Sequence, residues 1–294
     1  MFYLLFGNYL VKRSALTQAD YLAIKHKVQE AGVKLGLIAV SEGLLTQKQA
    51  DEVNRLQACM DHRFGDIAQE KGYLTEANVE HLLSLQENTY HKFIQLLIDQ
   101  DLLTLDEITG YLKDYQSENG YTDSQMAIFK SGDTESVIPL LLHIDSKMHS
   151  ELISLTIRNL IRFIDSNICI MKCYTTTEYE FENLAIQTAA GDHSIQLGFS
   201  GNADSLLTIA NRFAEEEFTE IDADSYDAIC EFINCINGQY ATKLSEDDIE
   251  IDMLPPNFYA NQKMICDTLI VVTLICAENH FDLVLSIDSP IEYM

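Results

Sequence analysis

The first 116 residues repeat with a period of 29, and this period is the feature that most constrains the fold. Each copy begins with a large apolar residue, and a Leu-Thr pair follows ten residues later. The four copies are marked by Phe6-Gly7 and Leu16-Thr17, Leu35-Gly36 and Leu45-Thr46, Phe64-Gly65 and Leu74-Thr75, and Phe93-Ile94 and Leu103-Thr104. A repeat of this length is typical of stacked supersecondary units that bury their apolar faces against one another.

Each copy has the signals of two short helices. Gly43 and Gly72 stand just before a Leu-Thr pair, where a glycine in the left-handed conformation ends a first helix. The threonine then caps a second helix, and two copies complete a capping box. These boxes are Thr46 with Gln49 and Thr104 with Glu107. The predicted apolar face of one second helix consists of Val79, Leu82, Leu83 and Leu85. We therefore predict an all-helical repeat domain over residues 1–116.

The two central copies, Lys34–Gln57 and Arg63–Gln86, resemble the tandem motif of the cyclic di-GMP-binding N-terminal domains (MshEN-like) of type II secretion and pilus ATPases. The matching residues are Lys34, Gly36, Gly43 and Gln57 in one copy and Arg63, Gly65, Gly72 and Gln86 in the next. The resemblance implies that the basic residues contact phosphates, that the glycines allow close approach of the backbone, and that the glutamines reach a base edge or the backbone. The alternative is a helical interaction or dimerisation module that binds no nucleotide.

Negative charge is concentrated after the repeats. The chain has a formal charge of -27, and residues 1–116 hold 11 Lys and Arg against 16 Asp and Glu, a net -5, which leaves -22 for residues 117–294. An acidic surface repels phosphate backbones and anionic lipid headgroups, so we expect neither nucleic acid nor a membrane as partner. A protein or small-molecule partner is favoured.

The cysteines and histidines indicate neither a disulfide framework nor a metal site. The seven cysteines include no Cys-x2-Cys pair, and the eight histidines form no His-x3-His or His-x2-Glu pair on a helix. We expect buried free thiols, Cys59 among them, in a reducing cytoplasm, and no metal on this chain. The apolar opening Met1–Phe6 meets polar residues too soon for a signal sequence, and Thr268–Ala277 is too short to span a bilayer.

Residues 117–146 are predicted to link two domains. The periodic pattern lapses at Ser117–Ser124, which has turn and loop composition. One short helix is expected from Thr134 to His143, with Pro139 limiting its length.

From Lys147 to Met294, helical and strand-like segments alternate. Helices are predicted at Ser150–Ile164, Asp204–Glu216 and Asp224–Leu244, and strands at Ile168–Tyr174, Tyr179–Thr188, His193–Phe199, Leu269–Cys276 and Phe281–Ile287. A hairpin-sized loop, Ala277–His280, separates the last two strands. Long helices beside antiparallel hairpins predict an α+β domain over residues 147–294, in which an antiparallel sheet packs against the helices.

The helix predicted at Asp224–Leu244 has an apolar side and a polar row. Ile229, Phe232, Ile233, Ile236 and Tyr240 share the apolar side at about 100° per residue. The polar row consists of Asp227, Glu231, Asn234 and Gly238, whose spacing of four, three and four places them in a line on the opposite side. A glycine inside a helix costs about 1 kcal/mol relative to alanine, so Gly238 indicates close approach by a partner or a packed neighbour. The plain alternative for the other three residues is a solvated helix face.

The polar row and its surroundings resemble the signature helix of the CheC and CheX phosphatases of bacterial chemotaxis. The matching residues are Asp227-x3-Glu231-x2-Asn234, Gly238, Thr242–Ser245, the Pro255-Pro256 turn and the preceding hairpin Ile186–Phe199. A second Glu-x2-Asn occurs at Glu180 and Asn183 in a strand-like segment, so only the helical context gives the motif its weight. The first long helix offers only Glu151 with Ser154. A single active helix is similar to the CheX branch, whose members resemble dimers built through strand pairing, and a homodimer is therefore expected.

This resemblance implies a phosphatase for the aspartyl phosphate of a CheY-type response regulator in chemotaxis or another two-component pathway. Asn234 would orient an in-line water, Glu231 would pair with the regulator's lysine, and Asp227 would contact the rim. The Mg2+ would be the regulator's own, and this chain would hold no cofactor for catalysis. The alternative is a module that binds regulators without hydrolysis, or a cyclic di-GMP-responsive signalling adaptor.

Overall fold

A computed structural model of the chain describes residues 1–57, 62–276 and 279–294. The chain divides into two compact units. The N-terminal unit comprises Phe2–Asp133, and the C-terminal unit comprises Thr134–Met294 together with Met1. The boundary between Asp133 and Thr134 falls within the predicted linker.

The N-terminal unit is all-helical over its described residues, and helical pairs follow the predicted period. The first helix of each copy is Phe2–Lys12 (α1), Leu35–Ser41 (α3), Phe64–Glu70 (α5) or Thr89–Asp99 (α7). The second is Gln18–Lys27 (α2), Gln47–Gln57 (α4), Glu76–Ser84 (α6) or Leu105–Asn119 (α8). The predicted helical repeat is therefore confirmed.

The predicted helix ends are also confirmed. Gly43 and Gly72 have φ angles of +69° and +68°, so each ends a short helix in the left-handed conformation that glycine adopts without strain. Thr104 accepts a hydrogen bond from the backbone of Glu107, whose side chain bonds back to the cap. Thr46 and Gln49 form the same reciprocal pair.

The glycine near the start of three copies has a packing role. A Cβ added there would come within 3.0 Å of a side chain of another helix, so that helix lies almost against the backbone of the first. The contacts are Gly7 with Tyr21, Gly36 with Phe64, and Gly65 with Val79; Ala50 lies 3.7 Å from the Cβ position of Gly36. Tyr21, Ala50 and Val79 are themselves 29 residues apart, so the repeat conserves one helix-to-helix contact from copy to copy.

Two clusters hold these helices together. The central copies, α3 to α6, share an aliphatic core that includes Ile38, Val53 and Leu82. The outer copies pack through aromatic rings, with Phe2 of α1 contacting Tyr90 of α7 and Tyr115 of α8. The apolar positions of the repeat thus meet across copies, as expected for stacked units.

The loop predicted at Ser117–Ser124 from its composition is wrong. Residues Ser117–Asn119 form the last turn of α8, and Gly120 ends that helix in the left-handed conformation. Thr122 then caps a further helix, Asp123–Ser131 (α9), through a complete capping box with Gln125. The turn-forming residues therefore act as caps between helices. The helix expected from Thr134 is confirmed as Thr134–Leu142 (α10).

The C-terminal unit is an antiparallel sheet with long helices. The helices are α10, Lys147–Phe163 (α11), Ala203–Ala214 (α12) and Ala223–Ser245 (α13). The strands are Cys169–Gly191 (β1), Ser194–Gly201 (β2), Ile251–Met253 (β3), Asn257–Cys276 (β4), Asn279–Ile287 (β5) and Glu292–Tyr293 (β6). In the described residues the order is β3-β1-β2-β5-β4-β6, and β1 also pairs with β4. The α+β class is confirmed.

Two strand predictions need correction. The segments predicted at Ile168–Tyr174 and Tyr179–Thr188 form one strand, because a register shift between Thr176 and Glu178 carries β1 past the intervening threonines. Strand β4 begins at Asn257, twelve residues before its predicted start, because its first half pairs with β1. The predicted loop at Ala277–His280 includes Ala277 and Glu278, which lie outside the described residues, as does Cys59.

The sheet separates two cores. Alternate side chains of β1 point to opposite faces, so Ala185 and Ala189 join the core beneath the helices, while Leu184 and Ile186 join a second cluster. Helix α13 packs on the first of these cores. Its predicted apolar residues, Ile229, Phe232, Ile233, Ile236 and Tyr240, are all buried, which confirms the predicted apolar face.

Candidate functional site

Helix α13 presents the polar row on the side opposite its buried apolar residues. Asp222 caps the helix and forms a capping box with Ser225, so α13 begins at Ala223, one residue before its predicted start. Asp227 and Glu231 are exposed, and Asn234 and Gly238 are partly exposed. Along the helix the row spans about 16 Å. The structure therefore brings the four predicted residues together on one accessible face.

The carboxylates of the row are free to bind a partner. Among the described residues, neither Asp227 nor Glu231 has a hydrogen-bonding or ion-pairing partner. Their charge affects the neighbouring thiol: burial raises the pKa of Cys230 to about 11, and both carboxylates contribute to the rise. The Cys230 thiol is therefore protonated near neutral pH and is a poor nucleophile.

Asn234 differs from the carboxylates because its side chain is already held. Its Oδ1 accepts a hydrogen bond of 3.0 Å from Nε2 of Gln187 on β1. The same Nε2 donates to the backbone carbonyl of Leu254, at 3.1 Å. Neither Gln187 nor Leu254 is predicted as a site residue from the sequence. The available signal was a polar residue at the helix-facing position of β1 between Ala185 and Ala189.

Gly238 has no internal explanation within the described part of the chain. A Cβ at this position would have no described heavy atom within 4 Å. Of the two causes proposed for this glycine, a packed neighbour is therefore excluded for the described residues.

Apolar side chains flank the row on the segment after α13. Met253 and Leu254 are 40% and 46% exposed. Pro255 and Pro256 follow in a short link between β3 and β4, which both pair with β1, so the turn predicted there is wrong. The Leu254 carbonyl and Asn234 Oδ1 accept from the same Gln187 Nε2, so the backbone of this segment lies next to the row. Exposed apolar residues beside a polar row are typical of a protein-binding surface.

The other Glu-x2-Asn copy and the first long helix lack this arrangement. Glu180 and Asn183 lie on β1, where Asn183 donates to the Gly201 carbonyl of the neighbouring strand. On α11, Glu151 pairs with Lys147 and Lys243, and Ser154 is buried. Only α13, in the described residues, carries the full row.

The N-terminal unit holds a second candidate site. A cavity of about 510 Å³ lies between the two central copies. Six of the eight residues predicted from the tandem motif line it: Lys34, Gly36, Gln57, Arg63, Gly65 and Gln86. The two other glycines, Gly43 and Gly72, are not among the lining residues, and their left-handed conformation assigns them to helix ends.

The basic residues of this cavity occupy matching positions. Lys34 and Arg63 are the residues that precede α3 and α5, and both are exposed. Lys34 forms an ion pair of 3.1 Å with Asp99. Gln86 donates a hydrogen bond of 2.8 Å to the Val33 carbonyl, which joins the end of one copy to the start of the other.

One expectation for this unit is wrong. The helical period predicts Leu83 on the buried face of its helix, but Leu83 is 52% exposed and lines the cavity, whereas Leu82 is fully buried. Asn54 and Asp66 also line the cavity and were not predicted. The helical period alone does not distinguish Leu82, which faces the core, from Leu83, which faces the cavity, because the two residues are adjacent in the sequence.

Two general features bear on what the protein can bind. No group of three or more His, Cys, Asp or Glu side chains in the described residues is arranged to hold a metal ion. No described helix combines the length and the apolar composition needed to cross a bilayer.

The C-terminal unit is thus an α+β unit with an exposed polar row on α13, and a family comparison adds a name to this class. The family model described as "Chemotaxis phosphatase CheX" matches residues 184–273. This segment runs from β1 into β4 and contains the whole polar row, together with Gln187 and Leu254. The match supports the CheX-like assignment of the C-terminal unit. It does not extend into the N-terminal unit, whose resemblance to the cyclic di-GMP-binding domains stays a prediction.

Solved structures similar to this chain include the following three. A CheC-like superfamily protein from Shewanella sp. PV-4 is 14% identical, with 49% of this chain and 99% of that chain covered and a TM-score of 0.43. CheX from Vibrio vulnificus is 11% identical, with coverages of 48% and 99% and a TM-score of 0.42. A chain of the CheX–CheY–BeF3–Mg2+ complex from Borrelia burgdorferi is 15% identical, with coverages of 48% and 97% and a TM-score of 0.38. No curated protein matches the chain.

Proposed function

We propose that the C-terminal unit hydrolyses the aspartyl phosphate of a CheY-type response regulator. The observation that carries this proposal is the accessible row of Asp227, Glu231, Asn234 and Gly238 on a helix whose other side is buried. The row lies inside the segment that matches the chemotaxis phosphatase model. Free carboxylates, a held carboxamide and an open glycine together form a surface suited to insertion against another protein.

The reaction needs a positioned water more than it needs a strong base. An aspartyl phosphate is an acyl phosphate: water forms a new bond to phosphorus as the bond from phosphorus to the aspartate oxygen breaks. The carboxylate is regenerated, and the proton of the water leaves with inorganic phosphate. Asn234 would hold the water in line, and Glu231 would pair with the regulator's lysine. Mg2+ on the regulator would neutralise the phosphoryl oxygens.

The surroundings of the row fit a protein partner. Asp227 would contact the rim of the regulator, and the open position at Gly238 would let its backbone approach α13. Met253 and Leu254 would add apolar contact area beside Asn234. Apolar anchors next to a few charged pairs are the usual composition of a transient interface.

Phosphate release from a panel of phosphorylated CheY-type receiver domains tests this proposal. The full-length protein should accelerate release from its cognate receiver, and Glu231→Ala and Asn234→Ala should each slow it by about tenfold or more. Glu216→Ala is the matched control, since it removes an exposed carboxylate away from the row and should change nothing. Unchanged release in both row variants would refute the catalytic assignment.

A regulator-binding module without hydrolysis is the competing reading of the same surface. In that case the protein would bind phosphorylated receivers while their phosphate lifetime stayed constant. Glu231→Ala would then weaken binding, and Asn234→Ala would have no kinetic effect. Measuring affinity and phosphate lifetime on the same samples separates the two functions.

For the N-terminal unit we infer cyclic di-GMP as the ligand. The supporting observation is that residues from both copies of the tandem motif line one cavity, whose volume lies in the range of roughly 300–1,000 Å³ usual for small-molecule sites. Arg63 and Lys34 would meet the phosphates, and the exposed Leu83 would contact a base. Guanidinium groups bind phosphate through paired hydrogen bonds, which suits Arg63.

Calorimetric titration of the full-length protein with cyclic di-GMP tests this second proposal. We expect micromolar or tighter binding, weakened about tenfold or more by Arg63→Ala through loss of a charged hydrogen bond. Lys48→Ala removes an exposed cation that does not line the cavity and should leave binding unchanged. Affinity no better than millimolar would favour a helical interaction module without nucleotide.

A further inference from the structure

A buried glutamine connects the sheet to the polar row. Gln187 is 3% exposed and lies on the helix-facing side of β1. Both ends of its carboxamide are hydrogen-bonded: Nε2 donates to Asn234 Oδ1 at 3.0 Å and to the Leu254 carbonyl at 3.1 Å, and Oε1 accepts from Asn237 Nδ2 at 2.9 Å. Asn237 is 1% exposed. The small side chains of Ala185 and Ala189 flank Gln187 on the same face.

The backbone carbonyl of Leu254 fixes the direction of this network. A carbonyl can only accept, so the group of Gln187 that faces it must be the NH2. Asn234 faces that same NH2 and must therefore turn its oxygen inward. The Nδ2 of Asn234, with two donors, is consequently the end directed away from Gln187. A carboxamide on a solvated helix face would have no such fixed orientation.

The segment after α13 is itself held in place. The Leu254 amide donates to the Thr188 carbonyl at 2.8 Å, and its carbonyl accepts from Gln187, so β1 binds both sides of this residue. Leu254 precedes Pro255, and the residue before a proline is restricted to extended conformations. Pro255 thus limits the conformations open to Leu254, whose carbonyl is the acceptor that orients Gln187.

We propose that Gln187 is a positioning residue that presents Asn234 with its amide donors outward and its oxygen inward. This inference rests on the proposed dephosphorylation. The outward Nδ2 would donate to an oxygen of the docked phosphoryl group or of the attacking water, and Oδ1 keeps one lone pair for the water's O–H. Gln187 itself touches neither the regulator nor the water.

The test replaces Gln187 by methionine, which has a similar length and no donor, in the full-length protein. The rate constant for phosphate release at saturating receiver should fall by about ten- to a hundredfold, with KM unchanged within about twofold, because orientation is lost and the docking surface is kept. Asn159→Leu is the matched control. Asn159 of α11 is a buried amide that pairs with Gln239 of α13, the helix that carries the polar row. Its replacement should leave the rate constant unchanged.

A double-variant cycle separates positioning from a general packing defect. In the Asn234→Ala background, Gln187→Met should cause no further loss of rate, because there is nothing left to orient. Full additivity of the two losses would overturn the inference. If Asn234→Ala slows the reaction and Gln187→Met does not, the positioning role is wrong and the phosphatase proposal stands. If the wild-type protein accelerates no receiver, the proposed function itself fails.

Spectroscopy of the wild-type protein keeps the inference testable if Gln187→Met does not fold. Both Nε2 protons of Gln187 are hydrogen-bonded and buried, so they should exchange slowly with solvent, whereas the Nδ2 protons of Asn234 should exchange fast. Slow exchange at Asn234 Nδ2 together with fast exchange at Gln187 would mean the opposite orientation and would contradict the proposal.

Discussion

Gly238 is the residue at which stability and docking should conflict. Its missing side chain leaves open space, so Gly238→Ala should raise the free energy of unfolding by about 1 kcal/mol through helix propensity alone. Gly238→Leu should instead raise KM for the receiver, because the added side chain occupies the surface that a partner would approach. Denaturant unfolding and steady-state kinetics measure the two effects.

Gly110 provides the matched control for this prediction. It also lies inside a helix, α8, and a Cβ there would meet no described atom within 4 Å. Gly110→Ala should therefore stabilise by a similar amount and leave KM unchanged. If Gly238→Leu binds the receiver as well as the wild-type protein does, this glycine has no docking role.

His91 should make the N-terminal unit sensitive to acid. Burial, with smaller contributions from Lys130 and His81, lowers the pKa of His91 to about 4, although the Glu42 carboxylate lies 4.0 Å away. An unfolded histidine titrates near 6.5, so between these pH values the unfolded chain binds the extra proton. Stability contributed by neutral His91 is therefore present above about pH 6.5 and is lost as the pH falls towards 4.

The size of this effect can be measured with one variant. Between pH 7 and pH 5 the wild-type protein should lose about 2 kcal/mol more unfolding free energy than His91→Gln, which cannot take up the proton. Urea unfolding followed by the helical circular dichroism signal reports the difference. Equal losses in the two proteins would show that His91 is not the group responsible.

At the scale of elements, the helical repeat depends on the close contact between paired helices. Gly65→Ala would place a Cβ 2.9 Å from Val79, so we expect destabilisation of about 1–3 kcal/mol from overpacking. Adding Val79→Ala should relieve part of this cost, giving a double variant less destabilised than the sum of the single variants. Gly32→Ala meets open space and should be near neutral. Additive losses would rule out the contact as the cause.

Local signals account for the elements that the sequence predicted well. Capping boxes, left-handed glycines and the apolar side of α13 each act within a few residues, so the helices could be found without the fold. The first half of β4 could not, because it forms only by pairing with β1, far away in sequence. The row on α13 could be found by its spacing. Gln187 could not be assigned, since the Asn234 and Leu254 groups that give it a role converge only in the folded unit.

At the scale of the whole molecule, the two units carry different candidate ligands. The homodimer expected from the CheX resemblance stays a prediction, which sedimentation of the full-length protein measures directly. The more informative question is whether ligand binding in one unit changes the activity of the other. A signalling role for the N-terminal unit requires such coupling, whereas a docking or localising role does not.

If the two units are coupled, the coupling must be reciprocal. Should cyclic di-GMP at the Arg63 cavity change the affinity for the phosphorylated receiver, the receiver must change the nucleotide's Kd by the same factor, since both report one coupling free energy. We expect at least a fivefold change, the lower end of common couplings. Arg63→Ala should abolish the coupling and leave basal phosphate release unchanged. Glu231→Ala should weaken receiver binding and leave the Kd for the nucleotide, measured without receiver, unchanged. Calorimetry in both directions gives the two factors. If the two affinities change by unequal factors, one ligand acts at a different site. If neither affinity changes, the two units bind their ligands independently.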